Sequence, residues 1–187
     1  MQNILPNALT WLRIFAAFAP IFTLGISAED ASSVAVSVLA IAAITDFLDG
    51  KLARAWNVTS RLGQVVDSIA DKMILASLIM LSVSYGLLGP IGIAIAILLI
   101  LREIWIGGLR EGLGQSSSLL SATNVAKWKT VLQFLGLLVI FANSAFEFGL
   151  EFFCDLALLP ALVLSLVSAW DYSRRGLAAL ANQDASQ

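Results

Sequence analysis

The chain has 187 residues, of which 59% are hydrophobic and 13% are charged. Soluble domains are about half apolar and about a quarter charged, so this composition, with a mean hydropathy of +0.88, predicts a membrane protein. The net charge of −2, from 11 basic and 13 acidic residues, argues against a nucleic-acid-binding protein. Because there is no histidine and only one cysteine, any metal or acid–base chemistry depends on carboxylates.

Six apolar runs are long enough to cross a bilayer as helices, which takes about 20 residues each. In chain order they are Asn7–Ser27, Ser32–Trp56, Arg61–Tyr85, Gly89–Gly112, Asn124–Ala145 and Phe152–Leu177. The first run is not assigned as a secretory signal, because it lacks a preceding basic segment and contains Arg13. The sequence therefore predicts an all-α polytopic membrane protein with six transmembrane helices, forming a single domain over residues 1–187.

The distribution of basic residues predicts how the helices are oriented. Lys and Arg concentrate in cytoplasmic loops and in the helix ends beside them. All 11 basic residues lie nearer the loops that share a side with the two termini: Arg13, Lys51, Arg54, Arg61, Lys72, Arg102, Arg110, Lys127, Lys129, Arg174 and Arg175. The charged residues of the opposite side are acids: Glu29, Asp30, Glu147, Glu151 and Asp155. We therefore expect both termini in the cytoplasm.

Four aspartates fall on the second and third predicted helices. Asp46 and Asp49 are spaced i, i+3, and the other two, Asp67 and Asp71, are spaced i, i+4. Each pair therefore projects from one face of its helix. The two helices form a hairpin around residues 57–60, in which residues equally far from the turn lie side by side. This register places Asp46 level with Asp71, and Asp49 level with Asp67.

The four aspartates lie about ten residues from the turn, within the membrane-spanning parts of their helices. Carboxylates buried there are costly. One buried charge costs at least about 2.5 kcal/mol, so four repelling acids cost on the order of 10 kcal/mol unless they are neutralised. Arg54 and Lys72 supply too little charge, whereas a hard divalent cation takes oxygen ligands. Gly50, Ala53 and Gly63 leave room for a ligand beside the helices. Spacing alone favours this metal site no more than an ion-pair network or an ion-translocation path.

The pattern D-x2-D-G-x2-A-R-x8-G-x3-D-x3-D runs complete from Asp46 to Asp71. It resembles the signature of the CDP-alcohol phosphatidyltransferase family. Further similarity covers most of residues 4–135 through the segments Pro6–Arg13, Arg102–Ile104, Leu109–Glu111 and Lys127–Thr130. The resemblance implies a six-helix enzyme of the bacterial inner membrane, with its active site facing the cytoplasm. The implied reaction transfers the phosphatidyl group of CDP-diacylglycerol to glycerol 3-phosphate and releases CMP.

The resemblance also implies roles for individual residues. Asp46, Asp49 and Asp67 are expected to bind two divalent metal ions, Mg²⁺ or Mn²⁺. Asp71, also at the metal site, is expected to deprotonate the acceptor hydroxyl. Two metals and a carboxylate base suit a phosphoryl displacement. The residues expected to bind the CDP donor are Asn7, Thr10, Asp49, Gly50, Ala53, Arg54 and Gly63.

The phosphate of the acceptor needs fixed positive charge on the cytoplasmic side. Arg110, Lys127 and Lys129, at the cytoplasmic ends of the fourth and fifth helices, are the candidates; alternatively, they only anchor the chain to anionic lipid headgroups. The two lysines are two residues apart and so point in different directions on a helix. Arg102 and Glu103 lie deeper and are expected to pair within the bundle.

Three alternatives stay open. Another acceptor in the same family would give cardiolipin, phosphatidylserine or phosphatidylinositol-phosphate synthesis. An ion-coupled transporter predicts acids scattered along several helices, whereas here they lie in one hairpin. Gly108 and Gly112 form a small-xxx-small pair that suits either packing within the chain or a homodimer contact. The partners that the resemblance implies are CDP-diacylglycerol, glycerol 3-phosphate and membrane lipids.

Overall fold

The computed structural model describes residues 4–56, 61–113 and 124–184, and the side chains of residues 11–46, 65–66, 68–113 and 128–181. These ranges are helical apart from short turns and contain no strand. The elements in chain order are α1 (Ile4–Phe18), a 3-10 helix (Ala19–Thr23), α2 (Ala28–Trp56), α3 (Arg61–Ser84), α4 (Pro90–Leu113), α5 (Asn124–Phe146), α6 (Glu151–Leu156) and α7 (Leu159–Asp184). The predicted all-α class is confirmed.

Four stretches of the described chain are long and apolar enough to cross a membrane. They are Ala28–Asp46, Pro90–Leu113, Trp128–Phe146 and Glu151–Ala181, and a shorter apolar stretch covers Trp11–Thr23. These stretches support the prediction of a polytopic membrane protein. The count of six spans and the cytoplasmic side of the termini stay predictions.

Two predicted spans are wrong as single α-helices. The first changes to a 3-10 helix after Phe18, where Pro20 contributes no backbone N–H. The last is broken by a turn at residues 157–158, and Pro160 then sits in the first turn of α7, where a missing N–H is harmless. Apolar composition runs through both breaks, because contact with lipid demands apolar side chains whatever the local helix type.

The second helix begins four residues earlier than predicted, at Ala28 rather than Ser32. The Ser27 hydroxyl accepts a hydrogen bond from the Asp30 N–H at 3.1 Å and donates one to the Asp30 carboxylate at 2.7 Å. This serine therefore caps the helix. Glu29 and Asp30 lie in the first turn, where the helix dipole favours negative charge.

The chain divides into two compact units, and the first comprises Met1–Leu88 and Leu137–Cys154. In this unit α1 packs against α2 and α3. The buried side chains of these three helices include five alanines, each at most 4% exposed: Ala17, Ala31, Ala35, Ala42 and Ala70. Small side chains let helices approach closely, which brings polar groups on neighbouring helices within reach of one another.

The second unit comprises Gly89–Gly136 and Asp155–Gln187. Here α4 packs against α7, and Ile106, Leu109, Leu113 and Tyr172 form a buried apolar cluster. At Gly136 a Cβ atom would lie 2.6 Å from the backbone oxygen of Ala157, so this position requires glycine.

The two glycines of the small-xxx-small pair on α4 have different surroundings. A Cβ atom at Gly112 would lie 3.9 Å from Leu180 of α7, whereas one at Gly108 would meet no atom within 4 Å. Gly112 therefore packs within the chain. The homodimer contact stays a prediction.

Candidate metal and active site

The first polar cluster lies in the first unit, where α1, α2 and α3 meet. Nη1 of Arg13 lies 3.3 Å from Oδ1 of Asp46 on α2 and 3.0 Å from Oδ1 of Asp71 on α3. A single nitrogen atom thus contacts both carboxylates. The expected juxtaposition of Asp46 with Asp71 across the hairpin is confirmed.

Arg13 was missed as a member of this cluster by sequence reasoning, which considered only Arg54 and Lys72 as counter-charges. Its side chain is 0% exposed. The available signal was a lone arginine inside the apolar run of the first helix. Because arginine is almost never fully buried unless paired, such a residue predicts an acidic partner on a neighbouring helix.

The other residues predicted for the donor and metal sites all lie outside the described side chains. They are Asn7, Thr10, Asp49, Gly50, Ala53, Arg54, Gly63 and Asp67. Among the side chains that the structure does describe, no three Asp, Glu, His or Cys residues come together as a metal-binding group. The four-aspartate metal site therefore stays a prediction.

The two described aspartates are compatible with metal binding. The Asp46 side chain is 71% exposed and the Asp71 side chain is 34% exposed, although both contact a fully buried guanidinium. Carboxylate oxygens are the ligands that Mg²⁺ and Mn²⁺ prefer. A ligand that approaches the hairpin therefore reaches oxygen donors of the right chemistry.

A second polar cluster lies in the second unit and comprises Arg102, Glu103 and Lys129, here called the Glu103 cluster. The Glu103 carboxylate accepts a hydrogen bond from Arg102 at 3.0 Å and another from the ammonium of Lys129. Arg102 also donates to the backbone oxygen of Ser165 at 3.2 Å and to the Ser168 hydroxyl at 2.6 Å. The expected pairing of Arg102 with Glu103 is confirmed.

The acceptor candidates differ in their surroundings. Lys129 is buried, with 8% of its side chain exposed, and pairs with Glu103. Arg110 is half-buried, and its guanidinium carbon lies 5.8 Å from the centre of the Tyr172 ring. The Lys127 side chain is outside the described residues. Arg110 is thus placed for a different role from Lys129.

Arg175 is a further cation that the sequence did not single out as an acceptor residue. Its guanidinium carbon lies 5.3 Å from the same Tyr172 ring, and it pairs with Asp171 one turn earlier on α7. A buried tyrosine thus brings a guanidinium from α4 and one from α7 to the same ring. No local pattern in the sequence marks a meeting between residues 65 positions apart.

Residues 3–174 match the sequence profile of the family described as CDP-alcohol phosphatidyltransferase. The chain belongs to this family. The match covers both compact units and includes Asp46, Asp71 and Arg13. The two carboxylates that meet at Arg13 therefore lie within the matched region.

Several curated members of the family are similar to the chain, and each is named CDP-diacylglycerol–glycerol-3-phosphate 3-phosphatidyltransferase. The protein from Cereibacter sphaeroides is 37% identical over 76% of this chain, and the chain spans only 65% of that relative's length. The protein from Rickettsia bellii is 31% identical, with 90% of this chain and 92% of the relative aligned. The protein from Bacillus subtilis is 32% identical, with coverage of 94% and 96%.

The burial of the Glu103 cluster generates a prediction about stability. Glu103→Gln should lower the free energy of unfolding by about 3 kcal/mol or more, because Arg102 and Lys129 then lose the carboxylate between them. Asp171→Asn is the matched control, since it removes the acid of the more exposed Arg175 pair and should cost less than about 1 kcal/mol. Thermal unfolding of both purified variants in one detergent checks the difference. Equal losses of Tm would contradict it.

Proposed function

We propose that the chain transfers the phosphatidyl group of CDP-diacylglycerol to glycerol 3-phosphate, forming phosphatidylglycerol phosphate and CMP. The observation that carries the proposal is the meeting of Asp46 and Asp71, the first and last aspartates of the family signature, at one guanidinium. The names of the three relatives support the choice of donor and acceptor.

The proposed metal site consists of Asp46, Asp49, Asp67 and Asp71, holding two divalent ions, Mg²⁺ or Mn²⁺. Bound there, the ions would neutralise the diphosphate of the donor and polarise its phosphoryl oxygens. The accessible carboxylates of Asp46 and Asp71 support this site. The proposed donor-binding residues are Asn7, Thr10, Asp49, Gly50, Ala53, Arg54 and Gly63.

Asp71 is the proposed general base. Its carboxylate takes the proton from the 1-hydroxyl of glycerol 3-phosphate as that oxygen bonds to the phosphorus carrying the diacylglycerol. The bond from this phosphorus to the bridging diphosphate oxygen then breaks, and CMP leaves with the electron pair. The contact with Arg13 at 3.0 Å and the partial exposure of the side chain support this role, because Asp71 is both oriented and reachable.

Arg110, Lys127 and Lys129 are the proposed acceptor-phosphate residues. The side chains of two of them are described: Lys129 pairs with Glu103, and the guanidinium of Arg110 lies beside the Tyr172 ring. Arg175 joins the set, since it approaches the same Tyr172 ring as Arg110. Two guanidinium groups offer a phosphate the planar, multidentate donors that it binds well.

We further propose that residues 1–187 form one catalytic domain with six spans in the bacterial inner membrane. Both termini and the active site would face the cytoplasm, in accord with the placement of the basic residues. The match of one family profile across both compact units supports a single catalytic domain. A homodimer through the Gly108 face of α4 is part of the same proposal.

Purified protein given CDP-diacylglycerol should release CMP with glycerol 3-phosphate and Mg²⁺, and excess chelator should abolish the release. A panel of glycerol 3-phosphate, phosphatidylglycerol, serine and inositol phosphate identifies the acceptor. CMP release with another member of the panel alone would reject the proposed acceptor. Undiminished release in chelator would reject the metal site.

Substitution of the aspartates should separate their roles. Asp71→Asn removes the base but keeps a ligand oxygen, so kcat should fall by about 10²-fold or more while donor binding survives. Asp46→Asn should instead weaken binding of both the metal and the donor. Single-turnover rates and donor titrations of the two variants measure the contrast. Normal turnover by Asp71→Asn would require a different base.

Arg110→Ala should raise the KM for glycerol 3-phosphate by about 10-fold or more and leave the KM for CDP-diacylglycerol nearly unchanged. The reason is that Arg110 is proposed to contact only the acceptor. Arg174→Ala, which removes a neighbouring basic residue of α7 not assigned to the pocket, is the control. Similar small effects of both variants on both substrates would make Arg110 a headgroup anchor instead.

A further inference from the structure

Arg13 differs from the other buried arginine whose side chain is described. The guanidinium of Arg102 contacts the carboxylate of Glu103, the next residue on its own helix, together with a backbone oxygen and a hydroxyl of α7. The Arg13 guanidinium contacts carboxylates from two separate helices, and both belong to the family signature. The position of Arg13 is therefore that of a counter-ion for the carboxylates of Asp46 and Asp71.

The two contacts of Arg13 are also unequal. The contact to Asp71 is the shorter, at 3.0 Å, and the Asp71 side chain is about half as exposed as that of Asp46. The contact to Asp46 is 3.3 Å long, and 71% of that side chain is exposed. Asp71 therefore lies closer to the guanidinium and is less accessible, while Asp46 stays more accessible to other cations.

We propose that Arg13 is the fixed counter-charge of the carboxylate cluster and the positioning residue for Asp71. Its buried positive charge offsets the repulsion between the acids of α2 and those of α3. Its hydrogen bond to one oxygen of Asp71 sets the direction in which that carboxylate meets the acceptor hydroxyl. This inference rests on the proposed function for the role of Asp71, whereas the counter-charge role requires only the contacts described.

The shape of the guanidinium group explains why position 13 carries arginine rather than lysine. A guanidinium is planar, always charged and rich in donors, so it can serve two acids at once from a buried place. A lysine ammonium is a smaller point charge on a flexible stem, and it would neutralise the cluster without fixing the angle of either carboxylate. Charge and orientation can therefore be separated by substitution.

The first test measures Tm of the full chain in detergent, with chelator and with saturating Mg²⁺. Arg13→Gln should lower Tm by roughly 5 to 10 °C in chelator and by clearly less in Mg²⁺, where the metal replaces the lost charge. Arg102→Gln is the control, because it removes a buried arginine whose described contacts, Glu103, Ser165 and Ser168, all belong to the second unit, so it should lower Tm equally in both conditions. An equal loss for Arg13→Gln would overturn the counter-charge role.

The second test is a double-mutant cycle, measured entirely in chelator. Asp46→Asn relieves repulsion among the acids, so it should recover part of the Tm that Arg13→Gln loses. If the change in Tm of the double variant equals the sum of the changes for Arg13→Gln and Asp46→Asn, the proposal is overturned. This cycle needs no metal and no activity. If instead the wild-type Tm does not respond to Mg²⁺ and no CMP is released, the proposed function fails separately.

The third test addresses positioning. Arg13→Lys keeps the charge, so it should retain most of the wild-type Tm in chelator. It should nevertheless lower kcat by about 10-fold or more while KM for CDP-diacylglycerol changes little, because Asp71 is no longer oriented. A purely structural residue would not produce this split. Wild-type kcat in Arg13→Lys would overturn the positioning role.

Discussion

The fully buried guanidinium of Arg13 holds α1 against both helices of the signature hairpin through Asp46 and Asp71. Leaving a buried charge without its partner typically costs about 3 to 5 kcal/mol of the roughly 5 to 15 kcal/mol that stabilises a domain. The cost of losing Asp46 alone is smaller, because 71% of that side chain is exposed and solvent screens the contact. The first helix is therefore part of the proposed site, although the signature itself begins only at Asp46. Under the proposed function, stability and chemistry would depend on the same three side chains.

The second unit also contains buried cations, and it neutralises them with a different set of partners. Its acid, Glu103, is shared by Arg102 and Lys129, and serine groups of α7 take the remaining donors of Arg102. The positive charge of Lys129 is thus largely used inside the protein. The guanidinium groups of Arg110 and Arg175 lie instead beside the Tyr172 ring, where Arg175 also pairs with Asp171.

Much of this architecture is encoded locally and was predictable. Helix content follows from long apolar runs, and the register of a hairpin follows from the distance of each residue from the turn, which is why Asp46 was expected beside Asp71. The breaks near Pro20 and at residues 157–158 were not predicted, because apolar patterning reports contact with lipid rather than local hydrogen bonding. Contacts such as Arg13 with Asp71 and Arg110 with Tyr172 join distant positions, and no spacing rule selects one distant partner among several.

Small residues explain how Arg13 reaches its two acids. Ala17 lies one turn after Arg13 on α1 and is buried, as are Ala42 one turn before Asp46 and Ala70 beside Asp71. Alanines at these places let the three helix backbones come close, so one arginine side chain can span the gap to both neighbours. A larger residue at Ala70, which is 0% exposed, would disturb the packing of α3 directly beside Asp71. The signature aspartates therefore depend on the small side chains around them as well as on their own charge.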